Sequence, residues 1–285
     1  MIIDAHTHLF PEEVRRKRSA YCSRDEAFSL LYKDEKARLA GLEDLLEVMD
    51  REGVDRSVIC GFPWSDPGLC REGNDYLLSC FQKCPSRVLP FVCFPLRAAR
   101  QAEKEMQRCL SLGAKGFGEL AFYGGRITPQ DIDRLSSLLE PLGGTQIPLL
   151  LHVNEPVGHE YRGKSMKSLQ PLYQLLLRIP GVEVILAHWG GGFFFYELMP
   201  EVAGAAQRVY YDTAASPFLY SKKIYAVVSK MVGVRKILFG TDYPLLSPQR
   251  YYKELEEADL SREDREKILG LNFLRLFGRI GEDRQ

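Results

Sequence analysis

The feature of this chain that most limits its fold is a regular alternation of hydrophobic runs with helical patterns. Eight runs of strand length occur, and each is followed by a segment with helical spacing of apolar residues. The runs cover residues 1–10, 54–62, 87–94, 114–120, 147–152, 182–188, 209–212 and 236–241. After the first run they recur roughly every thirty residues, which is the length of one βα unit. Strands separated by helices pair in parallel.

Helices are predicted after each strand, and their ends carry ordinary signals. The predicted helices cover residues 41–51, 74–84, 98–112, a stretch beginning at 128, then 165–179, 193–206, 217–232, 247–258 and 261–277. Thr128 is a suitable N-cap, with Pro129 at the first helical position. Pro90 weakens the third strand, because proline cannot donate to a sheet.

Polar side chains stand at the ends of four of these strands. His6 and His8 are two residues apart in strand one, so both point to the same face. His152 and His188 end strands five and six, and Asp242 follows strand eight. An open doubly wound sheet competes with a closed barrel, but only closure brings strand one beside strand eight. We therefore predict an α/β fold, a (β/α)8 TIM barrel with these residues at its carboxyl end.

Three imidazoles and a carboxylate in one place suit a divalent metal such as zinc. His6, His8 and His152 would supply nitrogen. Asp242 would ligate the metal, accept a proton from metal-bound water, or do both. His188 would polarise the substrate or shuttle a proton. A structural histidine pair remains the alternative for His6 and His8 taken alone.

Four ordered motifs resemble the amidohydrolase superfamily, and within it the amidohydrolase 2 group. That group includes metal-dependent hydrolases and decarboxylases of the aminocarboxymuconate-semialdehyde type. The motifs are DAHTH at 4–8, LLLHVNE at 149–155, ILAHWGGG at 185–192 and LFGTDYPL at 238–245. The resemblance implies metal on His6, His8, His152 and Asp242, and it matches His188 to the active-site histidine of strand six. It does not settle the substrate.

The fourth strand ends GFGELAFY and departs from the decarboxylase pattern. Glu119 in this context resembles the metal-bridging glutamate of the TatD-type hydrolases in the same superfamily. Lys115, Phe117 and Glu119 share a face by strand alternation. Glu119 would then hold a metal, or else orient a ligand or bind substrate. The metal is expected to be Zn²⁺, with one ion or two.

Residues that follow the strands in loops are candidates for substrate binding. These are Trp64, Tyr123, Arg126 and Trp189, and Arg162 is a further cation for an acid substrate. We expect one domain over residues 1–285, with an insertion at 10–40 after strand one. That insertion is either a surface excursion or a flap over the pocket.

Composition excludes several classes of partner. The chain has 38 basic and 38 acidic residues and no net charge, which argues against nucleic acid and against an anionic membrane. No secretory signal and no membrane span are readable. The seven cysteines form no C-x-x-C pair, so a reducing cytoplasm is expected. A small-molecule substrate is expected, and assembly into a homo-oligomer is compatible with the sequence.

Three functions fit these patterns. The preferred one is hydrolysis of a small C–N or C–O bond, as in an amide, cyclic amide or lactone, by a metal-activated water. Asp242 would take the proton of that water. The alternative is non-oxidative decarboxylation of an aromatic or enoic acid by the same metal. A non-catalytic metal-binding barrel is the third, and the five intact site residues argue against it.

Overall fold

The computed structural model describes residues 1–123, 127–165 and 167–282, with the backbone alone for 278–282. Within these residues, eight parallel strands form one sheet in chain order. They are β1 (Ile3–His8), β2 (Arg56–Cys60), β3 (Val88–Val92), β4 (Gly116–Leu120), β5 (Leu149–Leu151), β6 (Val184–Leu186), β7 (Val209–Asp212) and β8 (Ile237–Leu238). Each lies within a predicted run, and Pro90 is accommodated inside β3.

The sheet closes on itself through contacts between its first and last strands. Ala5 N–H donates to the carbonyl of Phe239 at 2.7 Å, and Asp242 N–H donates to that of His6 at 2.9 Å. Thr7 and Tyr243 form a parallel bridge between them. The closure confirms the (β/α)8 barrel over the open doubly wound sheet. It also gathers the carboxyl ends of all the strands at one face.

Helices connect the strands on the outside of the barrel. In chain order they are α1 (Glu12–Arg16), α2 (Arg18–Cys22), α3 (Glu26–Tyr32), α4 (Leu42–Glu52), α5 (Pro67–Lys83), α6 (Ala99–Ser111), α7 (Pro129–Leu139), α8 (Gln170–Arg178), α9 (Pro200–Ala205), α10 (Ser216–Leu219), α11 (Lys223–Val232), α12 (Pro248–Glu257), α13 (Arg262–Glu266) and α14 (Asn272–Glu282). In the described part of the chain, no helix is both long and apolar enough to cross a bilayer.

Helix ends differ from the prediction where capping residues decide them. The predicted cap of α7 is present, since the Thr128 side chain accepts from Asp131 N–H. Helix α5 begins seven residues earlier than predicted, because the Asp66 side chain caps it and Pro67 occupies its first turn. The predicted helix 261–277 is divided by a π-helical turn at Lys267–Leu271.

The predicted helix 193–206 was wrong in its first half. The structure has a 3₁₀ segment at His188–Leu198, and a helix, α9, only at Pro200–Ala205. Trp189 and the three glycines after it have φ of 57°, 59°, 58° and 89°, which a right-handed α-helix cannot contain. These residues directly precede the predicted helix, and the chain that follows them stays in the 3₁₀ segment as far as Leu198.

The closing helix covers the amino-terminal end of the barrel. Phe273 and Leu276 of α14 are buried in one cluster with Ala5, Val58 and Phe91 of the strands. Gly270, just before α14, lies so close to the Met1 carbonyl oxygen that a Cβ there would meet it at 2.5 Å. With this end filled, the carboxyl end is the accessible one.

The segment 10–40 packs over the carboxyl end beside β2. Phe28 of α3 has no exposed surface and stacks on Trp64 at a ring-centroid distance of 4.7 Å. It also meets Phe62 edge-on at 5.4 Å. Aromatic contacts of this kind anchor a segment that has no strand of its own. The segment therefore lies against the barrel mouth.

Candidate active site

Six side chains converge at the carboxyl end of the barrel and form what we call the donor cluster. Its members are His6 and His8 of β1, Glu119 of β4, His152 after β5, His188 after β6 and Asp242 after β8. The Nε2 atoms of His6 and His8 are 3.0 Å apart. His188 Nε2 is 3.2 Å from His152 Nδ1. The structure thus brings together every residue that the sequence proposed for metal binding or catalysis.

Glu119 occupies the centre of the donor cluster. Its Oε1 lies 3.0 Å from His152 Nδ1, 3.4 Å from His188 Nε2 and 3.6 Å from His6 Nε2. Its Oε2 lies 3.5 Å from His8 Nε2. One carboxylate therefore reaches all four imidazoles.

Asp242 faces the β1 side of the same cluster. Its Oδ1 is 3.2 Å from His8 Nε2 and 3.7 Å from His6 Nε2. Glu119 and Asp242 thus approach the paired histidines from different strands, since β4 lies across the barrel from β8.

Three of the four imidazoles are held by an acceptor at their outer nitrogen. His6 Nδ1–H donates to Asp212 Oδ2 at 2.8 Å. His152 Nε2–H donates to the carbonyl of Gly163 at 3.2 Å, and His188 Nδ1–H donates to that of Ala214 at 3.1 Å. Because these oxygens only accept, each ring carries a proton on the outside. In the neutral ring the inner nitrogen then presents its lone pair to the cluster.

The electrostatics of the cluster favour added positive charge. Burial would raise the pKa of Glu119, but the charges of His6 and His152 hold that pKa well below its ordinary value. Burial opposes protonation of His188, yet its hydrogen bond to Glu119 and the charge of Asp242 raise its pKa to about 9. The pKa of His6 is likewise raised, against burial, by Glu119 and Asp212.

Two members of the cluster have a left-handed backbone. His188 has φ of 56° and Asp242 has φ of 61°, which is uncommon outside glycine. The glycines after His188 allow the chain to turn there, since a Cβ on Gly191 would lie 2.3 Å from the carbonyl oxygen of Asn154. Such conformations persist where the surrounding structure fixes them, and they are concentrated at functional sites.

The donor set fits a divalent cation. Donor atoms of His6, His8 and Glu119 lie within 4.8 Å of one another, and so do those of Glu119, His152 and His188. Imidazole nitrogen with carboxylate oxygen suits zinc, manganese and related ions. Such a cation would neutralise the two carboxylates in place of the protons on the imidazoles.

A cavity of about 600 Å³ opens above the cluster. Its floor contains five members of the cluster, with His6 buried behind them. Its walls are mainly apolar and aromatic, and include Leu31, Tyr32, Phe62, Tyr123, Phe218 and Leu245. The segment 10–40 contributes part of this wall.

Three cations, Lys36, Arg38 and Arg162, also line the cavity, and all three are exposed. Among the described lining residues, the acids are Glu119 and Asp242 alone. Beyond its metal-type floor, the cavity is therefore apolar with a positive rim.

The predicted substrate contacts divide into three groups. Tyr123 lines the cavity and lies 5.2 Å from the His152 ring, as measured between ring centroids. Trp64 and Trp189 do not line it, which corrects their assignment. Trp64 is 3 % exposed within the aromatic cluster around Phe28, and Trp189 is fully buried with its Nε1–H donated to Ser216 Oγ. Arg126 lies outside the described residues.

Two buried aspartates next to the cluster were not predicted from the sequence. Asp212 accepts from the His6 ring. Asp4 accepts from His6 N–H at 3.1 Å and from Thr241 Oγ1–H at 2.6 Å, and burial raises its pKa to about 7. Asp212 ends β7 as His188 follows β6, so the same strand-end criterion would have selected it.

Comparison with known proteins agrees with this geometry. A family model described as amidohydrolase matches residues 3–279. The γ-resorcylate decarboxylase of Rhodococcus jostii is 23% identical over 300 residues, covering 86% of this chain and 91% of its own. The 2-amino-3-carboxymuconate-6-semialdehyde decarboxylase of Dictyostelium discoideum is 20% identical over 333 residues, covering 97% and 91%.

The fold is also that of a solved decarboxylase. The dihydroxybenzoic acid decarboxylase of Polaromonas sp. JS666, solved with bound manganese and the inhibitor 2-nitroresorcinol, superposes with a TM-score of 0.71. The two chains are 19% identical, and the match covers 99% of this chain and 98% of the other.

Proposed function

The chain belongs to the amidohydrolase family, and from that premise we propose that it is a metal-dependent carboxy-lyase acting on a small aromatic or enoic acid. The observation that carries the proposal is the cavity, which combines a metal-type floor, aromatic walls and a cationic rim. In an aromatic acid, the carboxylate suits the metal-type floor and the cationic rim, and the ring suits the aromatic walls. The curated relatives are decarboxylases, and this chain matches them over most of their length. They support decarboxylation better than the hydrolysis that the motifs alone favoured.

The proposed metal ligands are His6, His8, His152 and Asp242, with Glu119 as a further carboxylate ligand. When bound, the divalent ion supplies a Lewis acid for acidic oxygens of the substrate and stabilises the negative charge that remains when CO₂ leaves. Manganese and zinc both suit this donor set. The manganese-bound structure of the Polaromonas relative supports including manganese beside the expected zinc.

The walls would bind and orient the substrate ring. Tyr123 stacks against Phe62 at 6.1 Å and extends an aromatic surface from the end of β2 toward the floor. An apolar cavity of about 150 Å³ is enough to hold benzene, so this larger one accepts a substituted ring with room at the rim. The rim cations would draw an anion into the cavity.

Asp242 is the proposed proton donor. In the reaction, the bond between the ring carbon and the carboxylate breaks, its electron pair stays with the ring, and that carbon takes one proton. The products are CO₂ and the substrate with hydrogen in place of the carboxylate. Burial raises the pKa of Asp242, but His8, His6 and His188 keep it below its ordinary value, so the resting carboxylate is ionised.

His188 is proposed to supply that proton. Its ring lies on the cavity floor, with Nε2 3.4 Å from Glu119 Oε1, where it would take up a proton from solvent. Transfer of this proton to an Asp242 oxygen would load the donor before each turnover. His188 thereby couples solvent protons to the reacting carbon.

The test is a substrate panel with CO₂ as the readout. Protein loaded separately with Mn²⁺ and Zn²⁺ is offered hydroxybenzoates and enoic acids, and in parallel amides, cyclic amides and lactones. We expect metal-dependent release of CO₂ from one or more of the acids. Turnover of the second set with no CO₂ from the first would overturn the proposal.

A further inference from the structure

Asp212 lies behind the donor cluster and connects two of its members. It ends β7, is fully buried, and accepts three N–H groups. Its Oδ2 accepts from His6 Nδ1–H at 2.8 Å. Its Oδ1 accepts from the backbone N–H of His188 at 2.8 Å and of Ala214 at 3.0 Å. One carboxylate therefore fixes the ring of His6 and the turn that carries His188.

We propose that Asp212 is a positioning residue that sets the tautomer of His6 for metal binding. This inference rests on the proposed metal-dependent function and adds a residue to it. A carboxylate can only accept, so the proton of a neutral His6 ring stays on Nδ1. The lone pair is then on Nε2, which lies 3.0 Å from His8 Nε2 and 3.6 Å from Glu119 Oε1. Without Asp212, the ring is free to carry its proton at the ligand position.

The neighbouring sequence provides the space for this pair. Gly240 follows β8, and a Cβ there would lie 3.0 Å from His6 Cβ and 3.3 Å from Asp212 Cβ. Thr213 holds Gly240 in place, since its Oγ1 donates to the Gly240 carbonyl at 2.8 Å and accepts its N–H at 3.0 Å. A side chain at 240 would push the pair apart.

The substitution Asp212→Asn separates this role from a purely structural one. The amide oxygen can still accept from the backbone N–H groups of His188 and Ala214, which keeps the turn. The amide NH₂ then faces His6 Nδ1, which must accept, so the ring proton moves to Nε2. The size of the side chain is unchanged, while the metal-facing nitrogen is blocked.

Two measurements test the proposal on the whole protein. The first is ¹⁵N-histidine NMR of the zinc-loaded wild type, with His6 assigned by comparison with His6→Gln. We expect Nδ1 protonated and Nε2 bound to zinc. The second is zinc affinity by competition with a chromophoric chelator. We expect Asp212→Asn to bind zinc about 10- to 100-fold more weakly, which is typical for loss of the partner of a metal-binding histidine.

The matched control is Asp4→Asn. Asp4 is also a buried carboxylate next to His6, but it accepts the backbone N–H of His6, at 3.1 Å, and not the ring. It therefore controls for the loss of a buried carboxyl group beside His6. We expect Asp4→Asn to keep the wild-type His6 resonances and to lose less zinc affinity.

Two results would overturn the proposal. One is a zinc-loaded wild type in which His6 Nδ1 is the metal-bound nitrogen, which needs no variant and so does not depend on the folding of Asp212→Asn. The other is a folded Asp212→Asn with unchanged zinc affinity and unchanged His6 resonances. Neither readout uses turnover, so a wild type that binds zinc but releases no CO₂ would contradict the carboxy-lyase and leave the role of Asp212 intact.

Discussion

At the scale of single residues, the central position of Glu119 decides how much positive charge the site can hold. Its two oxygens reach four imidazoles at 3.0–3.6 Å, and the histidines keep its pKa low. An ionised carboxylate in that place joins the His6–His8 pair to the His152–His188 pair. It is the position from which one metal could be shared or two could be bridged.

We therefore predict that Glu119→Gln lowers the metal-to-protein ratio if two ions bind, and weakens binding about tenfold or more if only one does. The amide keeps the shape but not the charge. Metal content and affinity are measured on protein purified without chelator. Glu160→Gln, an exposed change in the β5–α8 loop, is the control. An unchanged ratio and an unchanged affinity would remove Glu119 from the ligand set.

The roles of Asp242 and His188 are predicted to separate. Asp242→Asn removes the proton donor, and we expect turnover to fall by a factor on the order of 10² or more. The metal content of Asp242→Asn should fall less than its turnover, because the three histidine ligands remain. His188→Asn should also depress turnover while keeping nearly all the metal. Kinetics and metal content are measured on the same preparations. Complete metal loss in His188→Asn together with full activity in Asp242→Asn would show that His188 holds the metal and that Asp242 is not the proton donor.

Residue chemistry was predictable where it followed strand ends, and not elsewhere. His6, His8, Glu119, His152 and Asp242 came from strand periodicity and motifs, and the structure brings them together. Trp64 and Trp189 did not follow, since a loop position after a strand does not show whether a large ring turns toward the pocket or into the core. Asp212 also ends a strand, so the strand-end criterion could have selected it, but its bond to the His6 ring required the structure.

At the scale of elements, the segment 10–40 connects the packing of the protein to its substrate cavity. Phe28 anchors α3 against Phe62 and Trp64, and Tyr32 at the end of the same helix lines the cavity. Weakening the packing of Phe28 should therefore disturb the cavity wall formed by this segment and leave the donor cluster unchanged.

We predict that Phe28→Ala destabilises the protein by about 3–5 kcal/mol, the usual effect of removing a buried aromatic ring. The KM of the substrate should rise while metal content is unchanged. Leu30→Ala, on the same helix but 46% exposed, should change neither quantity much. Chemical unfolding, metal analysis and KM are the measurements. If KM is unaffected in a clearly destabilised Phe28→Ala, the segment does not shape the substrate site.

Element boundaries were less predictable than element order. The strands followed from hydrophobic runs because each is buried by the helices around it. The stretch after His188 did not, since its apolar residues belong to a 3₁₀ segment that begins with five left-handed residues. Apolar content alone does not show whether three glycines begin a helix or turn the chain past a site.

At the scale of the whole molecule, the charge distribution gives a neutral protein whose substrate cavity has a positive rim. The net charge is zero, yet the rim of the cavity carries Lys36, Arg38 and Arg162. Arg162 is partly neutralised by Asp34 at 3.2 Å. Arg38 is the cation whose effect on an entering anion is easiest to isolate.

We predict that Arg38→Gln raises KM for an acid substrate about 2- to 5-fold with kcat unchanged, as expected for one exposed charge. The difference from wild type should shrink in high salt because of screening. Arg235→Gln, exposed beside the start of β8, is the matched control. A change in kcat instead of KM would place Arg38 in the chemical step.

The overall fold was the most predictable level, and the reaction the least. Eight strand–helix units predict the α/β class, and the polar side chains at the ends of strands one, five, six and eight predict a closed barrel with a metal site at its mouth. The motifs mark metal chemistry that hydrolysis and decarboxylation share, so they could not choose between the two. The cavity lining and the curated relatives supplied that choice.

The most direct test of the proposed carboxy-lyase is the fate of the reacting carbon in D₂O. Metal-loaded protein is incubated with the acid that gives CO₂ in the substrate panel, and the product is followed by NMR. We expect one CO₂ per product molecule and one deuterium on the carbon that lost the carboxylate, with both signals nearly abolished in Asp242→Asn. A product that keeps its carboxylate, or that gains a hydroxyl from water at a cleaved C–N or C–O bond, would contradict it.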